Sequence, residues 1–342
     1  MALRFQAALE LAAASEGMDA DQVDEFLELL IDGRLSDARG AELLVTLAER
    51  GETPREVAAF VRNLRQRSIK VSVDRPCFDV VGTGGSKLSR FNISTTAAFA
   101  LAAAGVPVAK HGNRGSRRPN GSFDLLERLG IPIEVPDAVL TQLQRELGLC
   151  FIYARTHHPA VGKVVRYRKA AGRRTVFNLA APLANPAVVT RQLLGAVSLD
   201  QARLVAGAAE ALGLERALVV SGMPGIDEVS VSGPTHYIHV TPHGSAEGVL
   251  EPPVEATCDY DVLPNGDADV NVTVFHDLID GRERGPIYEM VCVNVGIALD
   301  LWRSKPVRYH GLGYELAREL FDSGAVRERF NAYRSRAEEL TS

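Results

Sequence analysis

At 342 residues the chain is longer than one hydrophobic core usually organises, so one large domain with a smaller one attached is expected. Hydrophobic residues make up 46% and charged residues 24%, which excludes a disordered or fibrous chain. The net charge of -5 excludes a protein built as a whole to coat nucleic acid or an anionic membrane, although local basic patches remain.

The opening MALRFQAALELAAASEG has the look of an exported leader, but Glu10 interrupts its apolar run and an acidic helical pattern follows, so it reads as the first helix of the fold. From Leu3 to about Ile69 apolar positions recur at helical spacing, with Asp21 ahead of a run containing Val23, Phe26, Leu27, Leu29 and Leu30. Breaks near Gly33, Gly40 and Gly51 to Pro54 divide the stretch into about four short helices, with Thr53-Pro54 as a cap and first-turn pair. The texture changes at CFDVVGTGG, a buried strand running into glycines. Thr95 to Ala104 then reads as a helix ending at Gly105, with VPVAK as a second strand behind it, and together they make a βαβ unit. The apolar stretch from Thr95 to Ala109 is too short to span a membrane, and no membrane role is expected.

Further strands are expected at LCFIYA (149–154), ALVVSG (217–222) and YIHV (237–240). Pro242 to Pro253 reads as a loop, and Val291 to Leu301 lies in a long apolar helix. The predicted fold class is α/β: a small helical domain plus a larger α/β domain with a mostly parallel central sheet, whose ligands sit at the carboxyl ends of the strands. The expected division is a helical domain over residues 1–70, with a further helical contribution from about 168–192, and an α/β domain over 71–342. Cys77, Cys150, Cys258 and Cys292 are far apart and support neither a disulfide framework nor a zinc knuckle, so a reducing, cytoplasmic setting fits.

Four motifs carry chemistry. Gly82-Thr83-Gly84-Gly85 follows a strand, and Phe91-Asn92-Ile93-Ser94-Thr95 opens a helix; glycines admit an anion close to backbone, and a helix N-terminus suits phosphate. The bland alternative is a tight turn, which is frequent after strands. Lys110-His111-Gly112-Asn113-Arg114, followed by Gly121-Ser122 and Asp124, ends the next strand; its alternative is a solvated loop. Two phosphate-suited loops on successive strands of one βαβ unit converge on one edge of the sheet, which favours a shared ligand. Gly225-Ile226-Asp227-Glu228 supplies adjacent carboxylates able to hold Mg²⁺ through water while the metal binds phosphates. His157-His158-Pro159-Ala160 with Arg166, Arg168, Arg173 and Arg174 offers a fork for a carboxylate, or else a basic solvated helix face.

In this order the motifs resemble the anthranilate phosphoribosyltransferase family, within the class that includes pyrimidine nucleoside phosphorylases. The likeness runs nearly end to end, through D-V-V-G-T-G-G, F-N-I-S-T, K-H-G-N-R, H-P-A, R-R-T-V-F-N-L, P-L-A-N-P-A, G-I-D-E and G-P-T. K-H-G-N-R and the chain length favour the anthranilate branch over a phosphorylase. The resemblance implies a homodimer formed through the helical part, with phosphoribosyl pyrophosphate and Mg²⁺ in the cleft and an aromatic amine, anthranilate, as acceptor. By position, Gly82, Gly85, Ser86, Arg90, Asn92, Ser94, Thr95, Lys110, Arg117, Arg118 and Ser122 would hold the donor. Gly82, Asn113, His158 and Arg168 would hold the acceptor, Arg168 pairing with its carboxylate, and Ser94, Asp227 and Glu228 would hold the metal. The reaction displaces pyrophosphate at the anomeric carbon through an oxocarbenium-like state, and no covalent nucleophile is expected.

The chain departs from the family's pattern at four of those positions. Ser86 stands where the family has Asp, Arg90 where it has Thr, and Arg117 and Arg118 where it has paired serines. One negative charge is thereby removed and three positive charges are added around the phosphates. Two alternatives to anthranilate transfer follow: transfer to another aromatic or heterocyclic acceptor, and a non-catalytic binder of nucleic acid or another polyanion, for which Asp227 and Glu228 would have no purpose.

Overall fold

The computed structural model describes residues 3–84, 88, 91–115, 119–254, 257–264 and 266–342. The chain opens with four helices, α1 (Phe5–Ala13), α2 (Ala20–Ile31), α3 (Asp37–Arg50) and α4 (Pro54–Gln66). Helix α4 starts where the sequence implies: the Thr53 side chain accepts from the Glu56 backbone, Glu56 reaches back to Thr53, and Pro54 supplies the first turn. Helix α2 starts two residues earlier than expected, because Asp19 and not Asp21 closes a capping box, with Gln22.

The α/β part follows as β1 (Phe78–Gly82), α5 (Ile93–Ala103), β2 (Val108–Gly112), α6 (Ser122–Arg128), α7 (Asp137–Leu147) and β3 (Leu149–Tyr153). The chain continues through α8 (Ala154–His157), α9 (Pro159–Ala171), α10 (Val176–Ala180), β4 (Arg191–Gly195), α11 (Leu199–Ala211) and β5 (Arg216–Gly222). It ends with β6 (Thr235–Thr241), β7 (Gly244–Leu250), α12 (Ala268–Ile279), α13 (Pro286–Trp302), α14 (Leu312–Asp322) and α15 (Ala325–Thr341). The strands form one seven-stranded sheet in the order β3-β2-β1-β4-β5-β6-β7. The first five are parallel, β6 is antiparallel to β5, and β7 is antiparallel to β6.

The break expected near Gly40 falls at Ser36, and Gly40 lies inside α3. Two further segments differ from the sequence-based expectation. The central strand β4 begins at Arg191, at the end of the stretch expected to be helical; RQLLG is too short to show a period of its own. The stretch from Pro242 to Pro253, expected to be a loop, holds β7, which pairs with β6 in a tight hairpin, Thr241 opposite Gly244. An edge strand with most of its residues outside the core needs little apolar pattern, so GSAEGVL gave no signal.

Each face of the sheet has its own core. On one, α5, α13, α14 and α15 pack around Phe99, whose ring meets those of Phe151, Phe275, Phe330 and Tyr333. On the other, the opening helices, α9, α10 and α11 share one core with Leu194, Val219 and Ile238 of the strands. Helix α9 seats against α3 at Gly40: a Cβ there would collide with the wholly buried Tyr167 ring, so only glycine lets the two helices meet.

Candidate active site

The chain's connections diverge from the neighbouring strands β1 and β4, which places a crevice at their carboxyl ends. Gly82 ends β1, Gly195 ends β4, and the two are register partners. The loop carrying Asp227 closes directly over both. A Cβ on Gly82 would strike the Asp227 carboxylate, and one on Gly195 would strike the Asp227 main-chain oxygen, so the bare backbone of these two glycines admits the acidic loop. Gly84 N–H donates to Asp227 Oδ2 at 2.9 Å, tying the glycine loop to the acidic one. Gly82, Ser94, Asp227 and Glu228 line one small cavity of about 20 Å³, room for a single water-sized species.

Beside it, Lys110 near the end of β2 is 2% exposed and donates from Nζ to the Val80 carbonyl at 2.7 Å. Burial pulls its pKa down to about 8, against the opposing pull of Asp79 and Glu228. Asp79, wholly buried on β1, is pushed up to about 6 by the same desolvation, although Lys110 and the donors of Asn185, His111 and Gln192 favour its charged form.

Adjacent residues on a strand face opposite ways, so His111 turns to the other side of β2 from Lys110. There it borders a second cavity of about 450 Å³, closed by α4, α9, α10 and the turn after them. Asn113, His158 and Arg168 line it together with apolar Leu64, Phe177 and Ala184. The His111 and His158 rings lie 5.1 Å apart at 60°. Burial first, then neighbouring positive charge, holds both below the usual imidazole range, His111 far below and His158 at about 4. Both are therefore neutral at pH 7, and each has a buried Nε2 with no hydrogen-bond partner.

The arginines of the basic stretch divide by task. Arg166 donates to the Gly33 and Leu35 carbonyls, Arg173 pairs with Glu49 at 2.8 Å, and Arg174 bridges the Gly84 carbonyl to Gln201. Arg168 stands over the Phe177 ring at 5.5 Å and, among the described residues, makes no hydrogen bond or ion pair. Desolvation disfavours its charge, which leaves a half-buried cation suited to an anionic ligand.

The structure thus gathers Gly82, Ser94, Lys110, Asp227 and Glu228 on one side of the β2 end, and Asn113, His158 and Arg168 on the other. Asn92 precedes α5, and the Ser122 hydroxyl donates to the Asn113 carbonyl at 3.2 Å. Thr95 is wholly buried, and its Oγ1 has no partner. Gly85, Ser86, Arg90, Arg117 and Arg118 lie outside the described residues. Sequence reasoning missed His111, although it sits inside a recognised motif, and Gly195, which no local pattern marks. Asp79 carried a signal that went unused, a charged residue inside a buried strand. Among the described residues no helix is long and apolar enough to cross a membrane.

Residues 6–68 match the helical bundle domain of a glycosyl transferase family, and residues 74–327 match its a/b domain. The anthranilate phosphoribosyltransferase of Rubrobacter xylanophilus is 39% identical over 321 residues, 93% of each chain; that of Thermomicrobium roseum is 38% identical over 328 residues, 94% of this chain and 93% of the relative. The crystal structure of anthranilate phosphoribosyltransferase from Thermus thermophilus superposes with a TM-score of 0.87 at 36% identity, covering 97% of this chain and 99% of that one. The Saccharomyces cerevisiae enzyme in complex with PRPP and Mg shares the fold, with a TM-score of 0.84 at 22% identity over 98% of both chains. The chain belongs to the anthranilate phosphoribosyltransferase family.

Proposed function

We propose that the chain transfers the phosphoribosyl group of phosphoribosyl pyrophosphate (PRPP) to the amino group of anthranilate and releases pyrophosphate. One observation carries this reading: the end of β2 sends Lys110 to the side of the acidic loop and His111 and Asn113 to the side of the cavity that holds the unpaired Arg168. The aryl carboxylate pairs with the Arg168 guanidinium, and its ring lies against Phe177 and the apolar wall. The neutral His111 and His158 border the same cavity, beside the acceptor ring.

On the donor side, Lys110, Asn92 and the backbone of the glycine loop take the phosphates. By their place in the two sequence motifs, Gly85, Ser86, Arg90, Arg117 and Arg118 are assigned to the donor as well, as are Ser122 and Thr95. The residues fit Mg²⁺: Ser94, Asp227 and Glu228 offer hard oxygens around a water-sized space. Such an ion takes its remaining ligands from water and phosphate. When bound, Mg²⁺ supplies charge neutralisation for the departing pyrophosphate. The amine nitrogen bonds to the anomeric carbon as its bond to the pyrophosphate oxygen breaks, and the amine loses a proton. A homodimer formed through the helical domain belongs to the same reading, and sedimentation of the purified chain tests it.

Pyrophosphate release from PRPP, Mg²⁺ and a panel of aromatic amines is the deciding assay. Release that requires anthranilate supports the reading. Release with a different amine alone overturns the acceptor, and no release with any amine overturns transfer itself.

A further inference from the structure

Helix α12 carries none of the residues assigned above, yet it sends one wholly buried side chain into the donor side. Asn271 Nδ2 donates to Asn92 Oδ1 at 2.8 Å and also to Asn120 Oδ1. Asn92 Nδ2 in turn donates to the Asn120 main-chain oxygen at 3.3 Å. The three asparagines thus link α12, the start of α5 and the turn just before Gly121-Ser122, segments separated by 179 and 151 positions across the two Asn271 bonds.

The position of Asn92 makes this more than a packing contact. It is the N-cap residue of α5, where an asparagine side chain ordinarily accepts from a first-turn N–H. Here it makes no such bond. Its Oδ1 is engaged by Asn271 instead, so the cap that would neutralise the helix's positive end is drawn aside from α5. We propose that Asn271 is a positioning residue for the donor site: it withdraws the Asn92 side chain from capping α5 and fastens it to Asn120, so that the helix start and the 113–122 loop meet the pyrophosphate as one unit. This rests on the assignment of that side of the crevice to PRPP.

The test compares wild type with Asn271→Ala and Asn120→Ala. In Asn271→Ala the Asn92 side chain is released to cap α5, and the PRPP dissociation constant with Mg²⁺ rises about ten-fold, the worth of one well-formed hydrogen bond to a charged or partly charged group. The KM for anthranilate stays at the wild-type value, a split that a merely structural role would not produce. Asn120→Ala removes the Asn271–Asn120 side-chain bond without touching α12, while the main-chain oxygen that Asn92 Nδ2 donates to is kept, and so covers the case in which Asn271→Ala does not fold. It too weakens PRPP, and the double variant loses less than the sum of the two singles. Wild-type affinity for PRPP in a folded single variant, or equal weakening of donor and acceptor, overturns the inference. Failure of the wild type to bind PRPP overturns the functional reading itself, and the inference with it.

Discussion

On the side of the β2 end proposed for the donor the chain is packed to contact. Gly82 and Gly195 leave no space for a Cβ beneath the acidic loop, Lys110 is bonded to Val80, and Asp227 to Gly84. On the side proposed for the acceptor about 450 Å³ stands open, bordered by His111, His158 and Arg168, whose guanidinium stands over the Phe177 ring and makes no hydrogen bond or ion pair among the described residues. On the proposed assignment, the difference teaches that the two substrates are recognised by different means. The side proposed for the donor is shaped by backbone and is sensitive to added volume; the side proposed for the acceptor is set by side-chain chemistry and tolerates changes of size better than changes of charge.

The largest expected effect comes from removing the acidic pair. Asp227→Ala with Glu228→Ala abolishes Mg²⁺-dependent PRPP binding in calorimetry while the far-ultraviolet circular dichroism stays that of the wild type. Unchanged donor affinity in the presence of Mg²⁺ would remove the metal assignment. Next, Gly195→Ala drives a methyl group into the Asp227 main-chain oxygen. An overpacked site of this kind costs roughly 1–3 kcal/mol, read from denaturant unfolding, and PRPP binding falls with it while the anthranilate site is spared. Wild-type stability in that variant would show that the loop yields, and the contrast in rigidity would be lost.

Arg168→Ala sharpens the comparison from the other side. It weakens anthranilate by about 1.5–3 kcal/mol, the range for a hydrogen bond to a charged group, and leaves PRPP untouched. Equal losses for both substrates would make Arg168 structural or phosphate-binding. The smallest effect at neutral pH belongs to His158, whose folded pKa of about 4 lies below the usual 6.5. Between those values the unfolded chain binds a proton that the folded chain refuses, so stability falls as pH drops from about 6.5 toward 4, by up to about 3 kcal/mol. Thermal melting across that window should show a flatter decline in His158→Asn than in the wild type. Parallel curves would mean that His158 is not held neutral by its surroundings.

Much of this plan was legible in the sequence because its signals are local. Thr53-Pro54 fixes the start of α4, the apolar run from Val291 to Leu301 lies within α13, and the glycines and K-H-G-N-R fall at the ends of β1 and β2. What escaped is what depends on distance. Strand β4 occupies the middle of the sheet, but its five residues are recognisable only by their neighbours. Arg166, Arg168, Arg173 and Arg174 look alike in the chain, and only the fold shows three of them occupied with carbonyls, amides or carboxylates and one turned to the cavity. Gly195 and Asn271 matter through partners 32 and 179 positions away, Asp227 (227 minus 195) and Asn92, and no window of sequence contains both ends of such a contact.

The seat of α9 on α3 at Gly40 also braces the larger cavity. Arg168 follows the very tyrosine that fills that seat, and Leu64, Phe177 and Ala184 belong to the same core as the opening helices. Most of the wall of the larger cavity is thus set by segments that share a core with the bundle, while Gly82 and Gly195 end strands of the sheet. A change of packing in the bundle can therefore reshape the larger cavity while the glycine-lined side stays as it was.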